Sequence, residues 1–363
     1  MTQSNQSLVL AGAGHAHLVA IRRWISDGYR PPAGTLLLSP TPQAWYSGMM
    51  PGLVAARFAP EQCAIELAPL CQACGIALVI GTIAELDADS RVLRLDDGRE
   101  LGYTHLSLNV GSVPPQPEHT DGSVLMVPAK PFAAFNRHWQ AWRERSDTLR
   151  LAVLGGGPAA FELAVALRRS LPMAELTLIC GGRLLEGQAA GVGKRARQLL
   201  NKRGIMLLQD TRIDRICDGF LMSGKRQVKT ADALVVATGA GPQPWQAPSG
   251  LACDDRGFVQ VSATLQSRSH ANVLASGDCA SLPGAPHSGV YAVRQGATLV
   301  DNIPALVQDR PLEDYQPQPR ALVLMATADG GALLSYGRWS GSGRLLGAWK
   351  DHLDLGFMRR HRL

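Results

Sequence analysis

Two stretches of the 363-residue chain repeat one pattern: an apolar run, a pair of glycines two residues apart, and a segment with apolar residues at helical spacing. The first is Leu8-Val9-Leu10, then Gly12-Ala13-Gly14, then Leu18, Ile21 and Ile25 along one side. The second is Leu151-Ala152-Val153-Leu154, then Gly155-Gly156-Gly157, then Phe161, Ala164 and Val165. An apolar run that meets a glycine turn and continues with helical periodicity reads as a strand feeding a helix, the unit of a parallel sheet. The likeness extends downstream. Each half has a second strand (Thr35 to Leu38; Leu176 to Ile179) and a later helix ending in Gly-Ile (Gly75-Ile76; Gly204-Ile205). Each closes on an apolar strand and a glycine, Leu106 to Gly111 and Ala233 to Gly239. Hairpin-like stretches precede the closing strands, with Asp97-Gly98 as one turn signal.

Prolines at 114–117 and 128–131 mark a crossover between the halves. From about Leu251 the pattern changes. A strand, Asn272 to Ala275, leads into Gly277-Asp278 and a helix from about Val290 to Val300. A polar, proline-rich linker (Gln308 to Pro319) follows. Short alternating runs at Ala321 to Met325, Ala332 to Tyr336 and Leu345 to Trp349 then suggest a small antiparallel sheet.

The chain is 46% hydrophobic and 18% charged, which is the composition of folded domains. Its formal net charge is +6, but the basic residues are spread along the chain, so no nucleic-acid partner is expected. Met1 to Ser7 lacks the basic start and apolar core of a signal peptide. No apolar run approaches the ~20 residues that span a bilayer. A cytoplasmic protein is expected, with its seven cysteines reduced.

Gly155-x-Gly157-x-x-Ala160 has the context that a dinucleotide fingerprint requires. The first glycine makes the turn, the second admits a pyrophosphate, and a small third residue lets helix and strand pack closely. Pro158 suits the helix start, where its missing N–H costs nothing. Gly12-x-Gly14-x-x-His17 is less regular, because His17 stands where a small residue is usual and would push the helix outward. His15 and His17, two apart, share no helix face, and with no third ligand evident no metal site is expected. The acidic residue that usually grips the ribose hydroxyls is missing from both second strands, which end at Ser39 and at Cys180-Gly181-Gly182-Arg183. Arg183 would pair with the 2′-phosphate of NADP or stand solvated on its loop.

Three further segments carry a family resemblance. Ala237-Thr238-Gly239 resembles the ATG motif of two-dinucleotide-binding-domain flavoproteins. Leu274-Ala275-Ser276-Gly277-Asp278 resembles their second FAD motif, whose aspartate binds the ribityl chain. His287 to Gly296 resembles the helix whose N-terminus faces the flavin ring. The chain thus resembles the pyridine nucleotide-disulfide oxidoreductase superfamily, on the side of type II NADH dehydrogenases and sulfide:quinone reductases. Gly12-Ala-Gly-His-Ala-His17, Tyr46-Ser-Gly-Met-Met-Pro-Gly52 and Trp349 to Arg360 look closer still to the NADH dehydrogenase-like flavoproteins that also occur fused to selenide, water dikinase. In that setting His17 is no anomaly. No kinase domain is present, so that activity is not expected.

The resemblance implies a glutathione reductase-like α/β fold: two Rossmann-like dinucleotide-binding domains, the second inserted in the first, plus a small C-terminal antiparallel β region. The expected boundaries are 1–120 and 249–307 for the FAD-binding domain, 121–248 for the NAD(P)H-binding domain and 308–363 for the tail. FAD and NADH or NADPH are the implied cofactors. Their expected contacts are Gly12, Gly14, His15, His17, Ser39, Tyr46, Ser47, Gly48, Gly111, Gly277, Asp278, Gly289, Val290 and Tyr291, with Gly155, Gly157, Pro158, Ala159, Arg183, Thr238 and Gly239. Glu162 stands where related dehydrogenases carry a glutamate close to the nicotinamide; it would orient that ring, relay a proton, or simply favour the helix start. Lys130 would approach the flavin from the crossover.

Many superfamily members use a redox cysteine pair beside the flavin, and none is apparent here. Cys71-Gln-Ala-Cys74 has the spacing but lies late in an apolar helix, where core packing is the favoured reading. The expected reaction carries hydride from NAD(P)H to FAD and on to an acceptor, a quinone first and a selenium or sulfur compound or a protein partner next. A flavin oxidase or monooxygenase with a vestigial nicotinamide site, or a non-enzymatic flavin sensor, are the rival readings. If Trp349 to Arg360 is helical, Trp349, Leu353 and Phe357 line one side. That stripe would pack within the chain, form a homodimer contact, or touch the inner face of a membrane peripherally.

Overall fold

The computed structural model describes residues 4–363; the start of the polar stretch Met1 to Ser7 lies outside the described residues. The first sheet places Ala77–Ile80, Thr35–Ser39, Ser4–Ala11, Glu100–Leu108 and Val273–Ala275 side by side, all parallel. Thr35–Ser39 is buried along its whole length, as a strand covered on both faces must be. The hairpin expected at Asp97-Gly98 is present. Val92–Leu95 runs antiparallel to the start of Glu100–Leu108, and Gly98 takes a positive φ of 83° at the turn.

The second sheet repeats the arrangement: Leu125–Pro128, Ala233–Val236, Arg150–Leu154, Glu175–Ile179 and Met206–Leu208, again parallel. The repetition holds at the level of single bonds. Gly12 N donates to Leu38 O and Asn109 N to Ala11 O, both at 2.8 Å. At the matching places Gly155 N donates to Ile179 O and Ala237 N to Leu154 O, also at 2.8 Å.

After the second sheet the chain returns to the first. Val273–Ala275 adds beside Leu106–Leu108, and the 19-residue helix Gly289–Val307 packs on the helix His15–Asp27. Trp24 ties the two helices together by donating its indole N–H to Val300 O at 2.9 Å.

The C-terminal region corrects one expectation. Val323–Ala326, Ala332–Tyr336 and Trp339–Gly343 form the antiparallel sheet, whereas Leu345 to Trp349 lies in the helix Arg344–His361. The reason is the turn at Gly337, φ 57°, which pairs Tyr336 with Trp339 and makes the polar Trp-Ser-Gly-Ser-Gly run the third strand. That run lacks the apolar alternation by which strands are read. The helix also departs from the expected stripe. Phe357 is buried, but Trp349 and Leu353 are 42% and 44% exposed, and Lys350 and Asp354 face inward instead. No helix of the described residues is long and apolar enough to cross a membrane.

Candidate active site

The first glycine turn is built around Asn109, at the end of the strand beside it. A Cβ on Gly12 would lie 2.5 Å from the Asn109 carbonyl oxygen, and Gly12 holds φ 93°, so both space and backbone demand glycine. The Asn109 side chain then organises the helix start. Its Oδ1 accepts from the N–H groups of Ala16 (3.1 Å) and His17 (3.3 Å), and its Nδ2 donates to Ser276 O at 2.9 Å. One amide joins the glycine turn, the first helix and the segment before Asp278.

His17 is fully buried and turned away from the turn's open side. Nδ1 lies 2.6 Å from Gly12 O and Nε2 2.8 Å from Ser107 Oγ. Burial lowers its pKa to about 4, so the ring is neutral and latches strand to helix where a small residue would otherwise pack. His17 therefore does not reach the cofactor cavity, contrary to the cofactor contact expected of it; an imidazole with both nitrogens engaged by the protein is committed to structure.

A cavity of about 500 Å³ runs along this end of the sheet. Gly12, Gly14, His15, Ser39, Tyr46, Ser47, Gly111, Lys130, Gly277, Asp278 and Gly289 all line it. Two helices start at it: Gly289–Val307 has no side-chain cap, whereas the Ala16 and His17 N–H groups at the start of His15–Asp27 are already taken by Asn109. Uncapped N–H groups at such ends attract anionic oxygens. Asp278 adds the complementary chemistry. Its Oδ2 accepts from Lys130 Nζ at 3.1 Å and Ser112 Oγ at 3.3 Å, while its Oδ1 is buried with no partner. An orphaned carboxylate oxygen in a cavity wall is suited to a hydroxyl donor such as a ribityl chain. The residues present fit FAD.

The second glycine turn has the same logic with a different partner. A Cβ on Gly155, φ 146°, would lie 2.2 Å from Ala237 O, whereas at Gly157 it would meet nothing within 4 Å. Pro158 opens the helix Pro158–Ser170, again without a side-chain cap, and Ala159 follows in its first turn. Open space before an uncapped helix start is where a pyrophosphate would lie. Thr238 donates its hydroxyl to Pro115 O at 2.6 Å, and Gly239 follows with φ 100°, so this end touches the crossover. Arg183 is 75% exposed and sits 3.8 Å from Glu186. Val290 and Tyr291 do not line the cavity; Val290 is exposed and the Tyr291 hydroxyl donates to Gln318 O at 3.1 Å.

Glu162 is met by the C-terminal region. Its Oε1 accepts from Ala326 N–H at 2.6 Å, and burial pushes its carboxyl up to about 7 against the pull of Lys350. Lys350 donates to Asp354 Oδ2 at 2.7 Å and to Gly48 O at 2.9 Å. Asp354 Oδ1 accepts in turn from the Tyr46 hydroxyl at 3.2 Å. Tyr46 stacks on Phe357, ring centroids 4.6 Å apart, and His15 packs edge-on to it at 5.2 Å. Burial lowers the pKa of His15 to about 4, despite the Asp278 carboxylate nearby. Gly48 thus meets the tail through its carbonyl and not the cavity.

Cys71 and Cys74 are buried, with thiols pushed up to about 12 and about 11 by burial, which suits packing and not thiolate chemistry. Cys279, next to Asp278, is raised to about 11 by burial as well. No cysteine lines the cavity. Among the described residues Asp121, Cys217 and Asp218 converge enough to hold a metal, and none of them lines the cavity either. Asn109 and Asp354 are the site residues that sequence reasoning missed.

Two parallel sheets, each ending in a glycine turn against a helix start, define a protein of the dinucleotide-binding class. The model of the pyridine nucleotide-disulphide oxidoreductases matches residues 6–296, and the chain belongs to that family. Ferroptosis suppressor protein 1 of Taeniopygia guttata is 26% identical over 289 residues, 75% of this chain and 72% of that protein. The NADH dehydrogenase-like protein YutJ of Bacillus subtilis is 22% identical over 245 residues, 66% of this chain and 67% of its own. In fold, the chain is similar to the sulfide:quinone oxidoreductase of Aquifex aeolicus, with a TM-score of 0.75 at 16% identity, covering 98% of this chain and 92% of that one. FAD and a nicotinamide dinucleotide are its cofactors.

Proposed function

We propose that the chain is an NAD(P)H dehydrogenase that binds FAD in the cavity between Gly12 and Asp278, holds the nicotinamide dinucleotide at Gly155–Ala159, and delivers its electrons to a quinone. Bound FAD would supply the two-electron chemistry, accepting hydride from the reduced nicotinamide. The chain's own residues bind and orient. The helix start at Gly289 offers free N–H groups to anionic oxygens, Asn109 fixes the start at His15 beside it, Asp278 accepts from the ribityl hydroxyls, and Lys130 neutralises that carboxylate at the cavity wall. The observation that carries this reading is the convergence in one cavity of the first glycine turn, the uncapped helix start at Gly289 and the unpartnered Asp278 Oδ1.

A quinone is favoured over sulfur-centred acceptors by the absence of any cysteine from the cavity wall. The tail supports a peripheral contact with the membrane in which quinones dissolve. Leu345, Trp349 and Leu353, one side of the last helix, are 88%, 42% and 44% exposed, and Trp339 is 70% exposed. Arg359 and Arg360 in its last turn add positive charge. Titrating the yellow protein anaerobically with NADH and with NADPH, then adding a short-chain benzoquinone, tests the reading. Bleaching by either nucleotide and recovery of colour with the quinone are expected; a flavin that neither nucleotide bleaches would overturn it. Co-sedimentation with anionic vesicles, lost in Trp349→Ser/Leu353→Ser, is expected for the tail, whereas concentration-dependent dimerisation lost in the same variant would assign that face to a second copy.

A further inference from the structure

The flavin cavity holds few charges. Among the described residues that line it, Lys130, Arg137 and Asp278 are the charged ones, and His15 is neutral. Lys130 and Asp278 meet at 3.1 Å and cancel one another. Arg137 has no hydrogen-bond or ion-pair partner among the described residues.

FAD brings a pyrophosphate anion into this cavity, and an anion that leaves water needs donors or a cation in its place. The N–H groups behind a glycine turn are the usual donors. Here those of Ala16 and His17 already donate to Asn109 Oδ1, at 3.1 and 3.3 Å. The first glycine turn therefore has fewer donors to offer than its sequence suggests.

Arg137 faces this gap from the other half of the chain. It belongs to the helix Phe132–Arg143, whose buried side is Phe132, Phe135, Trp139 and Trp142. Phe132 packs on Trp45 with ring centroids 5.0 Å apart, which seats the helix start against the stretch that follows Ser39. Ala133, Ala134 and Arg137 lie on the opposite side of the helix, and all three line the cavity. Two methyl side chains leave space before the guanidinium, whose planar fork matches a pair of phosphate oxygens. Arg137 is exposed, so packing does not account for its place.

Resting on the placement of FAD in this cavity, we infer that Arg137 is a cofactor-binding residue that pairs with the FAD pyrophosphate. The flavin is then held by both halves of the chain at once. Lys130 and Asp278 keep their role at the ribityl chain, and Arg137 acts on occupancy and not on the flavin ring.

The test uses the full chain, stripped of flavin and titrated with FAD or with riboflavin, which has no phosphate. Quenching of flavin fluorescence reports binding. Arg137→Gln is expected to weaken FAD roughly 10- to 100-fold and to leave riboflavin unchanged. Arg137→Lys recovers part of the loss, since it restores the charge without the fork. Added salt weakens FAD binding more in the wild type than in Arg137→Gln. A readout independent of affinity is phosphorus magnetic resonance of the FAD-saturated protein. The pyrophosphate signals are expected to shift in Arg137→Gln while the visible flavin spectrum stays the same; if that variant does not fold, Arg137→Lys is compared in the same way. Wild-type affinity for FAD in Arg137→Gln, an equal loss for riboflavin, or unshifted phosphorus signals overturn the inference. A wild-type chain that takes up no FAD overturns the placement of the cofactor instead.

Discussion

At the scale of the residue, the first glycine turn leaves no room for variation. A methyl at Gly12 would enter the Asn109 carbonyl at 2.5 Å in a backbone conformation that side chains rarely adopt. Gly12→Ala is therefore expected to lower flavin content strongly, read as the visible-to-ultraviolet absorbance ratio of the purified protein, together with a lower melting temperature. His17 makes a different prediction. Its folded pKa is depressed from 6.5 to about 4, so below pH 6.5 the unfolded chain takes up a proton that the folded chain refuses. This residue's contribution to stability is present above pH 6.5 and lost as pH falls toward 4. Between pH 7.5 and pH 5 the loss is about 2 kcal/mol. Glu162, raised from 4.5 to about 7, acts in the opposite sense over the same range, so the comparison must be made by difference. Urea unfolding of the wild type and of His17→Gln at both pH values should show the smaller acid loss in the variant; equal losses would refute the assignment.

At the scale of the element, the last helix is the informative one. Its buried Lys350–Asp354 pair is bonded at 2.7 Å and met by Gly48 and Tyr46. Removing one partner strands the other, so Lys350→Met is expected to cost about 3–5 kcal/mol in urea unfolding, and Lys350→Met/Asp354→Leu to recover much of that loss. A double variant as unstable as the single would show that packing, not charge, is at stake. The same helix shows where sequence reasoning stops. The glycine turns and the strands before them were legible because their signals are local: a period, a turn and a helix start within about a dozen residues. The inward face of Arg344–His361 was not, because what holds Asp354 is a tyrosine 308 positions away. Asn109 was missed for the same reason: its partners lie 92, 93 and 167 positions off. Read as alternating apolar residues, Leu345 to Trp349 resembled a strand; the helix that forms there exposes the apolar side that the pattern would have buried.

At the scale of the whole molecule, the family's name includes a disulphide, yet this chain brings no cysteine to the cavity wall. All seven cysteines are free, five of them buried, and none lines the cavity. Brief treatment of the folded protein with N-ethylmaleimide is expected to leave reduction by NAD(P)H unchanged, and Cys71→Ala/Cys74→Ala to do likewise; loss of flavin reduction in either case would restore a thiol to the mechanism. The tandem plan itself was readable from the two matching halves, whereas the return of the chain to its first sheet through Val273–Ala275 was implied only by the family resemblance.

That returning strand governs how the protein can be made. Residues 4–108 emerge from the ribosome first, yet the edge formed by Leu106–Leu108 stays unpaired until residue 275 has been synthesised. At ~5–20 residues per second, that delay lasts on the order of ten to thirty seconds. Meanwhile the five strands of the second sheet, all between 125 and 208 or at 233–236, can close among themselves. The nascent chain thus carries an open strand edge through much of its translation, a hazard for aggregation that chaperones would relieve.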